Sequence, residues 1–187
     1  MRRLIYWMMV SLDGFVEGPS HELDWPLVDE DLHTYINGEV RSADALLYGR
    51  RTYELMAGYW PEADTYASSP PYEAEFARLW RDLPKVVFST TLEQAGWNTT
   101  IVSENVADEV ARLKTQPGND LVLFGGPDVA GALDELRAID VYRLNVCPIV
   151  LGGGKPFFKS PGDRVGLSLV DTQTFESGVV LLEYERA

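Results

Sequence analysis

The stretch Leu121-Val-Leu-Phe-Gly-Gly-Pro-Asp-Val-Ala-Gly-Ala-Leu-Asp-Glu-Leu136 constrains the fold more than any other in the chain. Leu121 to Phe124 are four apolar residues with no polar face, and they follow the turn-like Gln116-Pro-Gly-Asn-Asp120. Too short for a helix, they read as a strand buried on both faces, as in a parallel sheet. Gly125 and Gly126 come next, and then Val129, Leu133 and Leu136 repeat at helical spacing. Pro127 suits the first helical position, where its missing N–H has no partner to lose. The unit is buried strand, Gly-Gly turn, helix start. Glycine there can serve a tight turn alone. The same bare backbone beside a helix N terminus can also receive an anion.

The pattern recurs along the chain. Arg3 to Val10 is a first strand, and Ser11 to Gly18 leaves it as a loop. Leu32, Tyr35, Ile36 and Val40 mark a helix with Asp29, Glu30 and Asp31 at its start, where the dipole favours acids. Ala45 to Tyr48 is a second buried strand, followed by Gly49-Arg-Arg-Thr52 and a short helix, Tyr53 to Ala57. Gly58, Pro61, Pro70 and Pro71 mark 58–72 as a loop, and Glu73 to Arg81 as the next helix. Lys85 to Ser89 is a third buried strand, Asn98 to Val102 a short fourth, and Val106, Val110 and Leu113 a helix stripe. Asp140 to Leu151 reads as one long strand with a bulge or an edge at Pro148. Gly152 to Gly154 is a turn, and Val165 to Ala187 closes the chain as a hairpin around Glu176-Ser-Gly178. Repeats of βα followed by strands predict a three-layer α/β/α domain over 1–187. Its mixed sheet should have about eight strands, mostly parallel with an antiparallel C-terminal hairpin.

Composition narrows the function. A net charge of −13, with no Lys/Arg run, sets the surface against a nucleic-acid backbone. No apolar run reaches the length of a membrane span. Arg2 and Arg3 before Leu4 to Val10 imitate a signal peptide, but Ser11-Leu-Asp-Gly14 is not a small-residue cleavage site. The single Cys147 allows no intrachain disulfide, and His21 and His33 are too few for a Cys/His zinc cage, so no metal site is expected. Together these point to the cytoplasm.

Ligands of open α/β sheets bind at the carboxyl ends of the strands. Three such ends are polar or glycine-rich: Gly49-Arg-Arg-Thr52, Ser89-Thr-Thr91 and Gly125-Gly-Pro-Asp128. Two of them lead straight into helices. Backbone N–H groups at Gly125 and Gly126, the Thr52 hydroxyl and Arg50 or Arg51 together fit a pyrophosphate. Cations oppose the dipole at a helix start, so the placement of Arg50 and Arg51 favours a ligand over a solvated face. Ser89 and Thr90 are within reach of a ribose or its phosphate. The Gly-x-Gly-x-x-Gly fingerprint, the Walker Gly-Lys-Ser/Thr (Gly154-Lys155 is followed by Pro156) and the Gly-x-Ser-x-Gly elbow are all absent.

Five motifs then occur in order: Ser11-Leu-Asp-Gly14, Leu47-Tyr-Gly-Arg-Arg-Thr-Tyr-Glu54, Lys85-Val-Val-Phe-Ser-Thr-Thr-Leu92, Phe124-Gly-Gly126, and Tyr142-Arg-Leu-Asn-Val-Cys-Pro-Ile-Val-Leu-Gly-Gly-Gly154. Over nearly the whole chain this resembles the dihydrofolate reductase superfamily. The branch is the one holding the C-terminal reductase domain of bacterial riboflavin biosynthesis and its stand-alone relatives. The resemblance implies the fold above, NADPH as hydride donor and, as in many relatives, a homodimer. It puts Gly49, Arg50, Arg51 and Thr52 on the cofactor phosphates, and Ser89 and Thr90 by the adenosine 2′-phosphate. Gly125, Gly126 and Val129 would run along the pyrophosphate, and the loop Val10 to Val16, with Gly14, would flank the nicotinamide.

Reduction of a C=N or C=O bond also needs a proton. By the resemblance Asp31 matches the acid that binds the pterin, and Asp13 sits in the loop beside the nicotinamide. Asp24 and Trp25 are placed at the mouth of the pocket. The expected substrate is a small heterocycle such as a pterin or aminopyrimidine. The competing expectation is a nucleotide-binding or dimeric scaffold module without turnover.

Overall fold

In the computed structural model, residues 1–159 and 164–187 are described. The first strand, β1 (Leu4–Ser11), lies near the centre of the sheet, so both of its faces must be covered. Leu4 and Tyr6 enter one apolar layer, while Ile5 and Trp7 enter the other. The same alternation divides β3 (Ala45–Gly49) and β6 (Leu121–Phe124). One layer is closed by α4 (Val106–Thr115) and α5 (Pro127–Glu135). The opposite layer is closed by α1 (Glu30–Ser42), α2 (Arg50–Ala57) and α3 (Pro71–Asp82). This period-2 split of continuous apolar runs is what a sheet sandwiched between helices requires.

The remaining strands are β2 (Phe15–Glu17), β4 (Lys85–Phe88), β5 (Thr99–Val102), β7 (Val141–Cys147), β8 (Lys155–Pro156), β9 (Leu167–Thr174) and β10 (Val180–Arg186). The main sheet has eight strands in the order β5-β4-β3-β6-β1-β7-β10-β9. From β5 to β7 every pairing is parallel; β10, the one reversed strand, pairs antiparallel with both β7 and β9. The fold class expected from the sequence is therefore the one found.

Local chemistry sets the helix ends. Asp29 caps α1 by accepting from the Leu32 N–H at 2.8 Å, with Glu30 and Asp31 in the first turn and Arg41 in the last. Pro71 opens α3. Four expectations change. The loop 58–72 contains a 3₁₀ turn, Trp60–Thr65, pinned by Arg81 donating to Asp64 and to the Pro61 carbonyl. The loop 11–18 contains β2, which pairs with β8 in a small second sheet. The long strand from Asp140 stops at Cys147, because Pro148 has no N–H to continue a ladder. Leu136 is not part of the buried stripe: α5 ends one residue earlier, and Leu136 is 60% exposed. Among the described residues no helix is long and apolar enough to cross a membrane.

Candidate active site

Strands β3 and β6 are neighbours, so their carboxyl-end turns meet. The meeting is close. A Cβ on Gly49 would lie 3.2 Å from Gly126 Cα, and one on Gly125 would lie 2.2 Å from Thr52 Oγ1. Gly125 (φ +73°) and Gly126 (φ +72°) also hold left-handed backbone. Glycine is needed here for both reasons. The consequence is a pair of helix N termini, of α2 and α5, opening side by side on one crevice.

Neither helix start is capped by a side chain: Gly49 and Gly126 occupy the N-cap positions. First-turn N–H groups thus remain for a ligand. The crevice is a cleft of about 640 Å³. Its floor and walls are largely apolar and aromatic, with Trp7, Met9, Ile36, Met56, Phe88 and Phe124 among them. Trp7 stacks on Phe124 with centroids 5.3 Å apart. A flat apolar slot beside two free helix starts suits a ligand with a ring at one end and an anion at the other.

Charges at the rim are mostly paired. Arg51 reaches the buried Glu17 at 3.0 Å, and His21 hydrogen-bonds the same carboxylate. Asp128 is gripped by Lys155 at 2.6 Å and Lys159 at 2.8 Å. Hydrogen bonds from Lys155 and then Lys159 hold its carboxyl below the usual range. Paired with two lysines, Asp128 does not set a free negative charge against an anion at the start of α5. Arg50 is the loosely held cation, half exposed and 3.7 Å from Glu54.

Of the residues singled out in the sequence, Gly49, Arg50, Arg51, Thr52, Gly125, Gly126 and Val129 line the cleft together. Others do not. Val10 is buried in the core layer of α4 and α5. Gly14 forms a turn, its N–H donating to Ser11 O at 2.9 Å and its carbonyl accepting from Phe157. Ser89 Oγ accepts from the N–H groups of Thr91 and Leu92, and Thr90 faces solvent; Phe88 is this strand's contribution to the cleft.

The acids need correction. Asp13 is a loop staple: it accepts from Ser11 Oγ at 2.7 Å and from the N–H groups of Leu151 (3.1 Å) and Gly152 (2.8 Å). These bonds, the Ser11 hydroxyl first, hold its carboxyl below the usual range. Asp31 is exposed on the outer side of α1, beside the fully buried Leu32. Asp24 is exposed, and Trp25 is buried against Leu32 and Phe175, its indole N–H donating to the Glu22 carbonyl. None of these four lines the cleft; Leu23 and Pro26 take the places expected of Asp24 and Trp25.

The sequence reading missed Trp7, Glu17, Ile36, Asn145 and Lys155, all of which line the cleft. For Asn145 a signal existed. Arg143 and Asn145 alternate with apolar residues in β7, a pattern ordinarily read as a solvated face. A strand this deep in the sheet has no solvated face.

An eight-stranded mixed sheet with one reversed strand and a cleft at its carboxyl edge is the dihydrofolate-reductase-like arrangement. The chain belongs to the family described as the RibD C-terminal domain, whose model matches residues 2–181. It is similar to the uncharacterized protein YyaP of Bacillus subtilis (strain 168), 36% identical over 183 residues, 98% of this chain and 94% of that one. Among solved structures it resembles a protein of Shewanella sp. PV-4 named for riboflavin biosynthesis. There the TM-score is 0.73 at 20% identity, covering 100% of this chain and 99% of the other. It also resembles a dihydrofolate reductase from Enterococcus faecalis, solved with NADP(H), with TM-score 0.63 at 16% identity, covering 98% and 96%. The fold is of the reductase type.

Proposed function

We propose that the protein is an NADPH-dependent reductase that transfers a hydride to a C=N or C=O bond of a small heterocycle. The observation that carries this reading is the pair of uncapped helix starts meeting at Gly49 and Gly126 beside Thr52 and Arg50. That set fits a pyrophosphate. The N–H groups of α2 and α5 and the Thr52 hydroxyl would bind its oxygens, and Arg50 offers a planar fork to a phosphate. The apolar slot from Phe124 to Met9 would take the nicotinamide and the substrate ring face to face, and exclude water between them. Bound NADPH supplies the hydride.

Glu17 and Asp128, the carboxylates of the cleft, are ion-paired. Asp13 and Asp31 lie outside it. This reading therefore assigns the proton to water at the open mouth. Likeness to a dihydrofolate reductase solved with NADP(H) supports the choice of cofactor. A homodimer remains part of the proposal, from the resemblance of the sequence to stand-alone relatives of the riboflavin-biosynthesis reductase domain.

The test is a titration of the protein with NADPH and with NADH, followed by tryptophan fluorescence. Saturable NADPH binding is expected, weakened about tenfold in Arg50→Ala, the equivalent of roughly 1.4 kcal/mol. NADH should be affected less. Absence of binding by either nucleotide would sink the reading. Acceptor-dependent oxidation of bound NADPH then separates a reductase from a binding module without turnover.

A further inference from the structure

Glu17, the last residue of β2, is 7% exposed and lines the cleft, and two side chains claim its carboxylate. Arg51 Nη1 lies 3.1 Å from Oε1 and 3.0 Å from Oε2. His21 Nδ1 is hydrogen-bonded to Oε1. A turn folds this imidazole back onto Glu17. In it the Gly18 N–H donates to the Glu22 carbonyl at 3.1 Å, and the His21 N–H donates to the Gly18 carbonyl at 3.0 Å. His21 itself takes left-handed backbone, φ +70°, which residues with a side chain adopt rarely. The imidazole is thus aimed at Glu17 by the backbone.

The three groups are not all satisfied at once. Arg51 Nη1 is also 3.2 Å from His21 Nδ1. An Nδ1 that carries a proton donates to Glu17 but turns an N–H against the N–H of Arg51. A bare Nδ1 accepts from Arg51 but turns its lone pair against the carboxylate. With His21 neutral, Arg51 is the counter-ion of Glu17. With His21 protonated, two cations share one carboxylate, and the imidazolium, fixed by its turn, leaves Arg51 the looser of the two. Arg51 lines the cleft in the first turn of α2, beside the uncapped start at Gly49. To serve an anion there it must let go of Glu17, and a carboxylate this buried is costly to leave without a cation. The other charges nearby are committed. Glu22 accepts from the Ser20 N–H at 2.8 Å, and its charge favours a cationic His21. Arg50 of α2 lies beside Glu54, and Lys155 of β8 holds Asp128 of α5.

We propose that Glu17 is the positioning residue of Arg51 and that His21 releases it. An anion at the starts of α2 and α5 draws Arg51 from Glu17, and His21 takes a proton from water to replace it. Anion binding and protonation of His21 are then linked. The bound state holds a proton that the free state lacks, so affinity rises as pH falls through the range in which imidazoles change charge, about 5 to 8. For one proton the gain is at most about tenfold per pH unit. Carboxylates and lysines ordinarily change charge outside that range. The second histidine, His33, sits among Trp60, Tyr72 and Phe76, away from the residues that line the cleft. This rests on the anion half of the reading above and not on which cofactor carries the anion.

The probe is sulfate, which stays a dianion across this range and adds no titration of its own. Its binding to the full chain is followed by protein NMR at constant ionic strength, through the amide signals of Gly125 and Gly126, at about pH 6 and about pH 8. The wild type should bind at least about fivefold more tightly at the lower pH. His21→Gln should flatten the profile to within about twofold, at the weaker level of the wild type at the higher pH. Glu17→Gln should flatten it at the tighter level, because an uncharged side chain no longer restrains Arg51. A merely structural role for either residue would leave the steepness of the profile in place. Wild-type affinity that ignores pH, a pH dependence that survives in His21→Gln, Glu17→Gln binding no more tightly than the wild type at the higher pH, or no saturable sulfate binding would each overturn the inference. If the variants fold poorly, the imidazole nitrogen signals of wild-type His21 still decide. Added sulfate should move them toward the protonated pattern, and unmoved signals overturn the inference. Sulfate binding coupled to pH without NADPH binding would sink the cofactor assignment alone. NADPH binding with sulfate binding that ignores pH would sink this inference alone.

Discussion

The two ends of the sheet spend their polar groups differently. At the amino end lies a groove of about 370 Å³ lined by Arg3, Glu39, Asp120 and Arg143. Its charges are closed on one another. Arg3 binds Asp120 at 2.7 Å, and Arg143 binds Glu39 at 2.7 Å and Glu183 at 2.5 Å while lying 4.7 Å over the Trp7 ring. At the carboxyl end, two helix starts carry no side-chain cap, and Asn145 Oδ1 and Trp7 Nε1 are buried without a hydrogen-bond partner. The same strands run through both ends. Polar groups bonded to one another hold the fold, while bare helix starts that open on a cleft leave N–H groups for a ligand.

The largest effect expected from breaking this contrast is at Arg143. Arg143 is 5% exposed and its partner Glu183 is 8% exposed. Arg143→Ala strands two carboxylates, and denaturant unfolding should register a loss of about 3–5 kcal/mol. NADPH affinity, measured below the transition, should stay within twofold. A parallel collapse of NADPH binding would mean the two ends are not separate in function.

Lys85 gives the next largest effect, again at the amino end. It is 1% exposed, with Nζ on the carbonyls of Trp80 and Leu83 and over the Trp80 ring. Burial pulls its pKa down from the ordinary 10.5 to about 8. Between those values the unfolded chain binds a proton that the folded chain has lost. The Lys85 contribution therefore destabilises at neutral pH, and stability rises with pH across about 8 to 10.5, by at most ~1.4 kcal/mol per pH unit. Subtracting the Lys85→Met profile from the wild-type profile isolates it. A flat difference would refute the burial argument.

At the carboxyl end, Gly125→Ala combines positive φ with a clash against Thr52. A loss of about 1–3 kcal/mol is expected in thermal or denaturant unfolding, together with weaker NADPH binding. Full affinity in a destabilised variant would reduce this turn to a packing device. The smallest effect belongs to Asp31→Asn. On the exposed face of α1 it should change stability by less than about 0.5 kcal/mol and leave NADPH binding untouched. A marked loss of binding would return Asp31 to the site.

Particular residues show how far the sequence was legible. The run Leu121 to Phe124 with its two glycines is read correctly because burial on both faces removes any polar periodicity. Arg50 and Thr52 were legible because their turn leaves a buried strand for a helix. The acids were not. Resemblance and spacing pointed to Asp31, yet helix rotation turns adjacent positions about 100° apart. Leu32 is fully buried and Ile36 lines the cleft, so Asp31 faces water. Asp13 was recognised as a loop residue, but its bonds to Leu151 and Gly152 join segments far apart in sequence.

By itself the sequence determined the order of strands and helices, the parallel character of the sheet and the phosphate-suited turns. All of these follow from local burial patterns and backbone chemistry. Tertiary structure decided which turns meet, since Gly49 and Gly126 touch only because β3 and β6 pair. It also decided which polar side chains are left unsatisfied. The Asn145 carboxamide is left unsatisfied only once Met9, Leu181 and α1 enclose it, because an unpaired amide carries a cost only where water cannot reach it.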